Sequence, residues 1–252
     1  MIKQLLKFSP GNSKLIGIPS ISLLAGWSCP HAKDCFTKVD LQTGKIIDGP
    51  QQKFRCFSAS QENLFPNVRK QREYNFGVLR SLRSPQEMAD LIQDSLPNPK
   101  KKIIRLHVSG DFFNQKYFDA WLIVARQNPG LLFYAYTKSI QFWVNRLNEI
   151  PENLKLTASI GGKQDNLVYQ YNLKYNLVVA SPEEAEKLGL EIDHDDSRAY
   201  AQDKSFAILI HGTQKAGSEM GKAKNALRKR GITGYNKGYT KKKTKVELQQ
   251  AA

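Results

Sequence analysis

Three cysteines, all in the first quarter of this 252-residue chain, are its strongest chemical signal. Five residues separate Cys29 from Cys35, and twenty more separate Cys35 from Cys56. The glycines and the proline between them favour bent loops, in which distant thiolates can meet at one metal centre. Three ordinary buried thiols are the alternative, because free cysteine is often buried. We interpret Cys29, Cys35 and Cys56 as metal ligands.

Two kinds of centre use such thiolates. A [4Fe-4S] cluster held by three cysteines leaves one iron open or bound to another ligand. Zinc sites pair their cysteines two to four residues apart, whereas the gap here is wider and no second pair follows. We therefore expect a [4Fe-4S] cluster, with zinc as the alternative. His31 and His107 are the first candidates for a fourth protein ligand, since imidazole is the commonest nitrogen ligand.

A second group of polar side chains lies where apolar runs of the middle region end. The group consists of His107, Ser109, Asp111, Lys138 and His211. Parallel strands present their carboxyl ends on the same side of a sheet, so we expect these five residues to line one cavity and assign them as catalytic. Ordinary turn or surface roles stay open, and Asp111 could instead cap the helix that follows it.

Glycines follow two of the same runs. Gly110 lies between Ser109 and Asp111, and Gly161 and Gly162 follow the third run. Because glycine has no Cβ, backbone at these points can approach a ligand closely. We assign the three glycines to cofactor binding.

Short apolar runs alternate with helical patterns through the middle of the chain. The predicted strands cover residues 103–108, 131–137, 154–160, 177–180 and 206–210. Asn114 is placed to cap one intervening helix and Pro182 to begin another. This alternation predicts an α/β fold, either a partial (βα) barrel or an open parallel sheet of about six strands, with residues 15–23 as the sixth.

Charge and composition suggest three regions along the chain. We predict an irregular cysteine-bearing N-terminal region at 1–100 packed on the core, a (βα)-repeat core at 101–219 and a basic C-terminal tail at 220–252. The net charge is +15, and ten lysines and arginines fall between residues 220 and 246 without an acid. Tyr235 and Tyr239 lie among them, so the tail predicts nucleic-acid contact by charge and stacking. A solubilising arm is the alternative.

Long motifs across residues 8–235 resemble a phage family called gene product 88. They read FSPGNSKL (8–15), LAGWSCP (24–30), FRCFSAS (54–60), LHVSGDFF (106–113), FYAYTKS (133–139) and IHGTQ (210–214). The resemblance implies a viral protein that acts inside the infected host, and it implies no particular reaction.

The expected fold is also similar to that of radical S-adenosylmethionine enzymes. Those enzymes combine three cluster cysteines with a partial (βα)6 barrel and a glycine-rich motif after a strand, as Gly110 follows residues 103–108 here. The resemblance implies S-adenosylmethionine as a second cofactor. This chain has C-x5-C-x20-C in place of the usual C-x3-C-x2-C.

The sequence therefore predicts a phage-encoded [4Fe-4S] protein with redox or radical-type chemistry, acting on an unidentified small molecule. The alternative is a nucleic-acid-binding phage protein in which a zinc or cluster site is structural. No apolar run is long enough to span a membrane, and three cysteines fit a reducing compartment, so we expect the host cytoplasm and no membrane partner. The substrate, the fourth ligand, the oligomeric state and whether the protein is an enzyme stay open.

Overall fold

Strands and helices alternate along the described chain, residues 4–11 and 15–232 of this computed structural model. In chain order the elements are β1 (Thr37–Val39), β2 (Ile46–Asp48), α1 (Phe57–Leu64), α2 (Pro66–Ser81), α3 (Pro85–Ser95), β3 (Ile103–Leu106), α4 (Gln115–Gln127), β4 (Leu132–Thr137), α5 (Ile140–Val144), β5 (Leu154–Ser159), α6 (Asp165–Gln170), β6 (Tyr175–Val179), α7 (Pro182–Lys187), α8 (Ser197–Ala201), β7 (Phe206–Leu209) and α9 (Glu219–Lys229).

The central sheet contains five parallel strands in the order β3-β4-β5-β6-β7. Each strand pairs with the next one in the chain, and the sheet forms a half barrel. Helix α8, in the connection from β6 to β7, packs on the sheet face that carries Tyr134, opposite the face that α4 covers. The predicted α/β class and all five predicted strands are confirmed. All the strand ends that carry the expected site residues lie on one side.

The expected sixth strand, residues 15–23, is present only as a short edge beside β3. Ser20 forms an isolated parallel bridge with Arg105. The Arg105 N–H donates to Pro19 O at 3.0 Å, and the Ile21 N–H donates to Arg105 O at 3.2 Å. Pro19 has no N–H to extend the ladder, which limits the pairing.

The main core lies on the sheet face that α3 and α4 cover. Alternate residues of a strand point to opposite faces, so Ile104 and Leu106 enter this core and Arg105 points to the other face. Trp121 of α4 and Ile92 of α3 are fully buried against them. The N-terminal residues Leu6, Ile21, Leu23 and Leu24 share the same core, so this region packs on the sheet.

The N-terminal region is more regular than expected. It contains the antiparallel hairpin β1-β2 and the helices α1 to α3, although the three cysteines themselves lie outside every helix and strand. The sequence signal for these helices is weak because part of their buried surface is polar: Glu62, Arg72 and Asn75 are all at most 5% exposed. The expectation of an irregular region was wrong for residues 57–95.

The predicted basic tail is described only in its first part. Helix α9 begins at Glu219, caps its first turn with Ser218 and buries Leu227 against the body. The remainder of the tail, with Tyr235 and Tyr239, lies outside the described residues. Across the described ranges, no helix is long and apolar enough to cross a membrane.

The Asn114 cap gives a direct test of the helix that covers the sheet. Its side chain accepts a 2.8 Å hydrogen bond from the Tyr117 N–H, as predicted from the sequence. We expect Asn114→Ala to lower the free energy of unfolding by about 1 kcal/mol, measured by urea denaturation. The exposed Asn98→Ala should change it by less than about 0.5 kcal/mol, and equal effects would contradict the assigned cap.

Candidate functional site

A cavity of about 670 Å³ opens at the carboxyl ends of the strands. Its wall contains all three cysteines and all five residues that the sequence assigns as catalytic, namely Cys29, Cys35, Cys56, His107, Ser109, Asp111, Lys138 and His211. Gly110 also lines it. The fold therefore brings together residues from the cysteine loops and from three strand ends. The volume lies in the range of small-molecule sites.

The three thiols are close enough to influence one another. Burial raises the pKa of Cys29 well above its ordinary value, and nearby Asp111, Cys56 and Cys35 raise it further. Burial likewise raises the pKa of Cys56 to about 11, with a further contribution from Cys35. All three cysteines are free of disulfides and keep partial exposure. Burial of these thiols therefore favours their protonated form.

All three cysteines lie in the wall of the cavity. Among residues 4–11 and 15–232, no group of three or more His, Cys, Asp or Glu side chains is placed to hold one metal ion. A zinc ion with ligands at about 2.3 Å would draw its thiolates to roughly 4 Å from each other. A four-iron cluster instead takes one thiolate for each iron.

Gly110 lets the Cys29 loop lie against the end of β3. Its φ is +83°, and a Cβ there would overlap Ser28 Oγ and lie 2.7 Å from Leu23 Cβ. The Leu23 N–H donates to Ser109 O at 2.9 Å in the same contact. The close approach predicted for this glycine is thus an approach of the protein's own cysteine loop.

Two other glycine positions support the remaining cysteine loops. The Lys33 and Asp34 N–H groups, just before Cys35, donate to Gly161 O at 3.3 and 2.9 Å, and Ala32 bridges Gly162. Gly161 and Gly162 lie outside the cavity wall, so they support the loop and do not themselves line the site.

Gly212 allows the Cys56 loop to approach in a similar way. A Cβ on Gly212 would overlap Phe57, the residue after Cys56.

Asp111 and Lys138 connect neighbouring strand ends. Asp111 accepts hydrogen bonds from the Phe112 N–H at 2.7 Å, Thr137 Oγ1 at 2.6 Å and the Lys138 N–H at 2.8 Å. Burial raises the pKa of Asp111 to about 6, although these hydrogen bonds oppose the rise. Lys138 Nζ donates to two oxygens of Ser159 and to Ile160 O. Asn114, and not Asp111, caps the following helix.

The histidines contact the cavity in different ways. His107 is 3% exposed and has a φ of +57°, a conformation that is uncommon for residues other than glycine. Burial and Arg105 lower its pKa to about 3, so the ring is neutral.

His211 Nδ1 bonds Leu209 O at 2.9 Å, and its ring packs on Phe57. His31 lies outside the wall and packs on Phe142.

The sequence profile of the Gene product 88 family matches residues 3–232. The chain belongs to this family. The predicted phage family is therefore confirmed.

Two relatives in the Gene product 88 family are the Gene 88 proteins of Mycobacterium phages L5 and D29. They are 27% and 26% identical to the chain over 177 and 178 residues. Each alignment covers 63% of this chain and 66% of the relative, so the chain spans just under two thirds of their length. No solved structure matches. The likeness to radical S-adenosylmethionine enzymes stays a prediction.

Sequence reasoning missed the residue that joins the cysteine loops to the sheet in this Gene product 88 family member. One oxygen of buried Glu62 accepts from the Ala25 N–H at 3.0 Å, Ser109 Oγ at 3.1 Å and Arg72 Nη1 at 3.0 Å. Burial raises the pKa of Glu62, and Arg72 opposes the rise. An acid and an arginine ten residues apart are common on surface helices, so the sequence holds no signal that this pair is buried.

A second missed group forms the base of the cavity. The Arg105 guanidinium pairs with buried Asp196, which also accepts a 3.1 Å hydrogen bond from the Tyr134 hydroxyl. Asp196 belongs to the acidic segment 182–203, whose position in the fold was not predicted. The one sequence signal for this group was Arg105, a charged residue within an apolar strand. Since a buried charge requires a partner, Arg105 indicated that an acidic residue should lie beside it.

Glu62 should be critical for stability. We expect Glu62→Gln to lower the free energy of unfolding by roughly 3–5 kcal/mol, because it leaves the buried Arg72 charge uncompensated. Urea denaturation measures the loss. Glu73→Gln on the exposed side of α2 is the matched control and should change stability by less than about 0.5 kcal/mol. A small effect at Glu62 would show that the pair is dispensable.

Proposed function

We propose that this family member binds a [4Fe-4S] cluster through Cys29, Cys35 and Cys56. The observation that carries the proposal is that three free cysteines from separate loops line one cavity beside polar strand-end residues. Structural cysteines usually behave as small apolar groups within a core. These thiols instead face a cavity with Asp111 and Lys138 nearby.

The surrounding structure supports a fixed ligand set. The Cys29 loop rests on Gly110, the Cys35 loop pairs with Gly161, and Phe57 beside Cys56 packs on Gly212. Holding three partly exposed thiols near each other in this way has an energetic cost, which metal binding would offset because ligation energy is also folding energy.

A bound cluster would supply one-electron transfer, and three cysteines leave one iron for a different ligand. The chain's own residues would shape the space at that position. Asp111 and Lys138 hold the strand ends together, and Phe54 and Ile210 give the wall apolar surface that limits water. We propose redox chemistry on a small molecule in this cavity, within the infected host cell.

Metal content tests the proposal. We expect the chain purified without oxygen to be brown and to contain iron and acid-labile sulfide in equal amounts. Cys29→Ser, Cys35→Ser and Cys56→Ser should each lose most of both, because a two-cysteine set holds a cluster poorly. Elemental analysis and sulfide assay provide the measurement.

Ser81→Ala, on helix α2 away from the cavity, is the control and should keep its iron. Full iron in all three cysteine variants would reject the ligand assignment. A colourless protein with zinc and no sulfide would reject the cluster in favour of a structural zinc. If S-adenosylmethionine is the second cofactor, adding it to reduced protein should change the cluster's electron paramagnetic resonance spectrum.

Helix α9 favours a second candidate function, nucleic-acid binding. Lys222, Arg228 and Lys229 are exposed on it, while Leu227 anchors its other side in the body. The basic composition continues through the tail to residue 246. Such a surface would contact phosphates without reading sequence.

Salt dependence tests this candidate. Six phosphate contacts would lower affinity roughly a thousandfold between about 50 and 200 mM salt. We expect removal of residues 237–252 to flatten the log–log salt slope, measured by fluorescence anisotropy with a single-stranded oligonucleotide. Replacing the exposed Lys100 and Lys101 by Gln should leave the slope unchanged. An unaltered slope after truncation would leave the tail as a solubilising arm.

A further inference from the structure

Beyond the cysteines, the cavity wall contains neutral polar atoms that no described residue bonds. His107 Nδ1, the Tyr136 hydroxyl and Asn176 Oδ1 are buried and have no hydrogen-bond partner within residues 4–11 and 15–232. All three residues line the cavity, from the end of β3, from β4 and from β6. His107 and Asn176 are only 3% and 2% exposed. Buried polar groups are nearly always bonded, so three unbonded ones around one cavity point to a ligand.

The charged groups of the same wall already have protein partners. Arg55 makes two bonds to Asp48, at 3.0 and 2.5 Å, and Arg105 pairs with Asp196. Lys138 Nζ has three oxygen acceptors within 2.9 Å. These are the lysine and arginine side chains of the described wall. A phosphate or carboxylate would need at least one such cation to leave its partner.

We propose that His107, Tyr136 and Asn176 bind an uncharged organic molecule that carries hydroxyl or amide groups and is the size of a nucleoside or a monosaccharide. This ligand assignment rests on the proposed function in one respect, because the bound molecule would be the substrate beside the cluster. Val178, Ile208 and Ile210 supply apolar surface for the body of the ligand.

The hydrogen-bonding capacities of the three groups define the ligand further. His107 Nε2 lies 3.1 Å from the Tyr117 hydroxyl. When that hydroxyl donates to Nε2, the ring proton lies on Nδ1 and Nδ1 donates to the ligand. Asn176 Oδ1 accepts, and the Tyr136 hydroxyl does either. The ligand therefore offers both a donor and an acceptor, which hydroxyls and amides do.

Stability gives the first arm of the test, on full-chain protein with its native metal content. An unbonded buried polar group destabilises the free protein. Tyr136→Phe and Asn176→Leu should therefore each raise Tm by about 2–4 °C, as a change near 1 kcal/mol does in a chain of this size. Tyr134→Phe is the matched control, because the Tyr134 hydroxyl is bonded to Asp196 and its loss should lower Tm. If Tyr136→Phe and Asn176→Leu lower Tm as Tyr134→Phe does, the groups are already satisfied and the proposal fails.

Binding gives the second arm. Uridine, adenosine and glucose are compared with uridine monophosphate, adenosine monophosphate and glucose 6-phosphate by thermal shift. At least one uncharged member should raise the Tm of the unmodified protein, and Asn176→Leu should lose that shift. A panel in which only phosphorylated members bind, or none binds, overturns the assignment.

Iron and sulfide are assayed in every sample. Iron-free protein that still binds an uncharged member through Asn176 would reject the cluster and retain the ligand site. Iron-loaded protein with no binding would reject the ligand site and retain the cluster. The two proposals therefore fail separately.

Discussion

One carboxylate oxygen of Glu62 holds the cysteine-bearing region against the sheet. It accepts from the chain that leads to Cys29, from Ser109 after β3 and from Arg72 on α2. Glu62 itself lies on α1, the helix that begins directly after Cys56. The spacing between two cysteine loops and a strand end is therefore set by one buried ion pair, in a place where charge without these partners would be costly.

The half barrel explains why such a junction is needed. Helix α4 covers one face of the sheet and helix α8 covers part of the other, and a space remains at the carboxyl ends of the strands. The loops with Cys29, Cys35 and Cys56 close that space, and they come close enough because glycines replace side chains at the contact points. The cavity is thus formed between the cysteine loops and the sheet.

Some local rules are broken at this cavity. His107 adopts a left-handed backbone conformation, and polar atoms of His107 and Asn176 are buried without a hydrogen-bond partner among the described residues. Other parts of the fold follow ordinary preferences, such as the Asn114 cap and the apolar stripe of α4. Strain and unbonded polar groups persist where the surrounding structure enforces them, and functional sites are the usual place.

The sequence by itself determined the parallel strands, the cap at Asn114, the start of a helix at Pro182 and the grouping of strand-end residues, because periodicity and capping are local. Shared strand direction then placed His107, Lys138 and His211 on one side. The tertiary structure alone decided that Glu62 pairs with Ser109, 47 residues away, and Arg105 with Asp196, 91 residues away. It also decided that Gly110 faces a cysteine loop. Whether a polar residue is buried depends on partners remote in the chain, and local pattern contains no information about them.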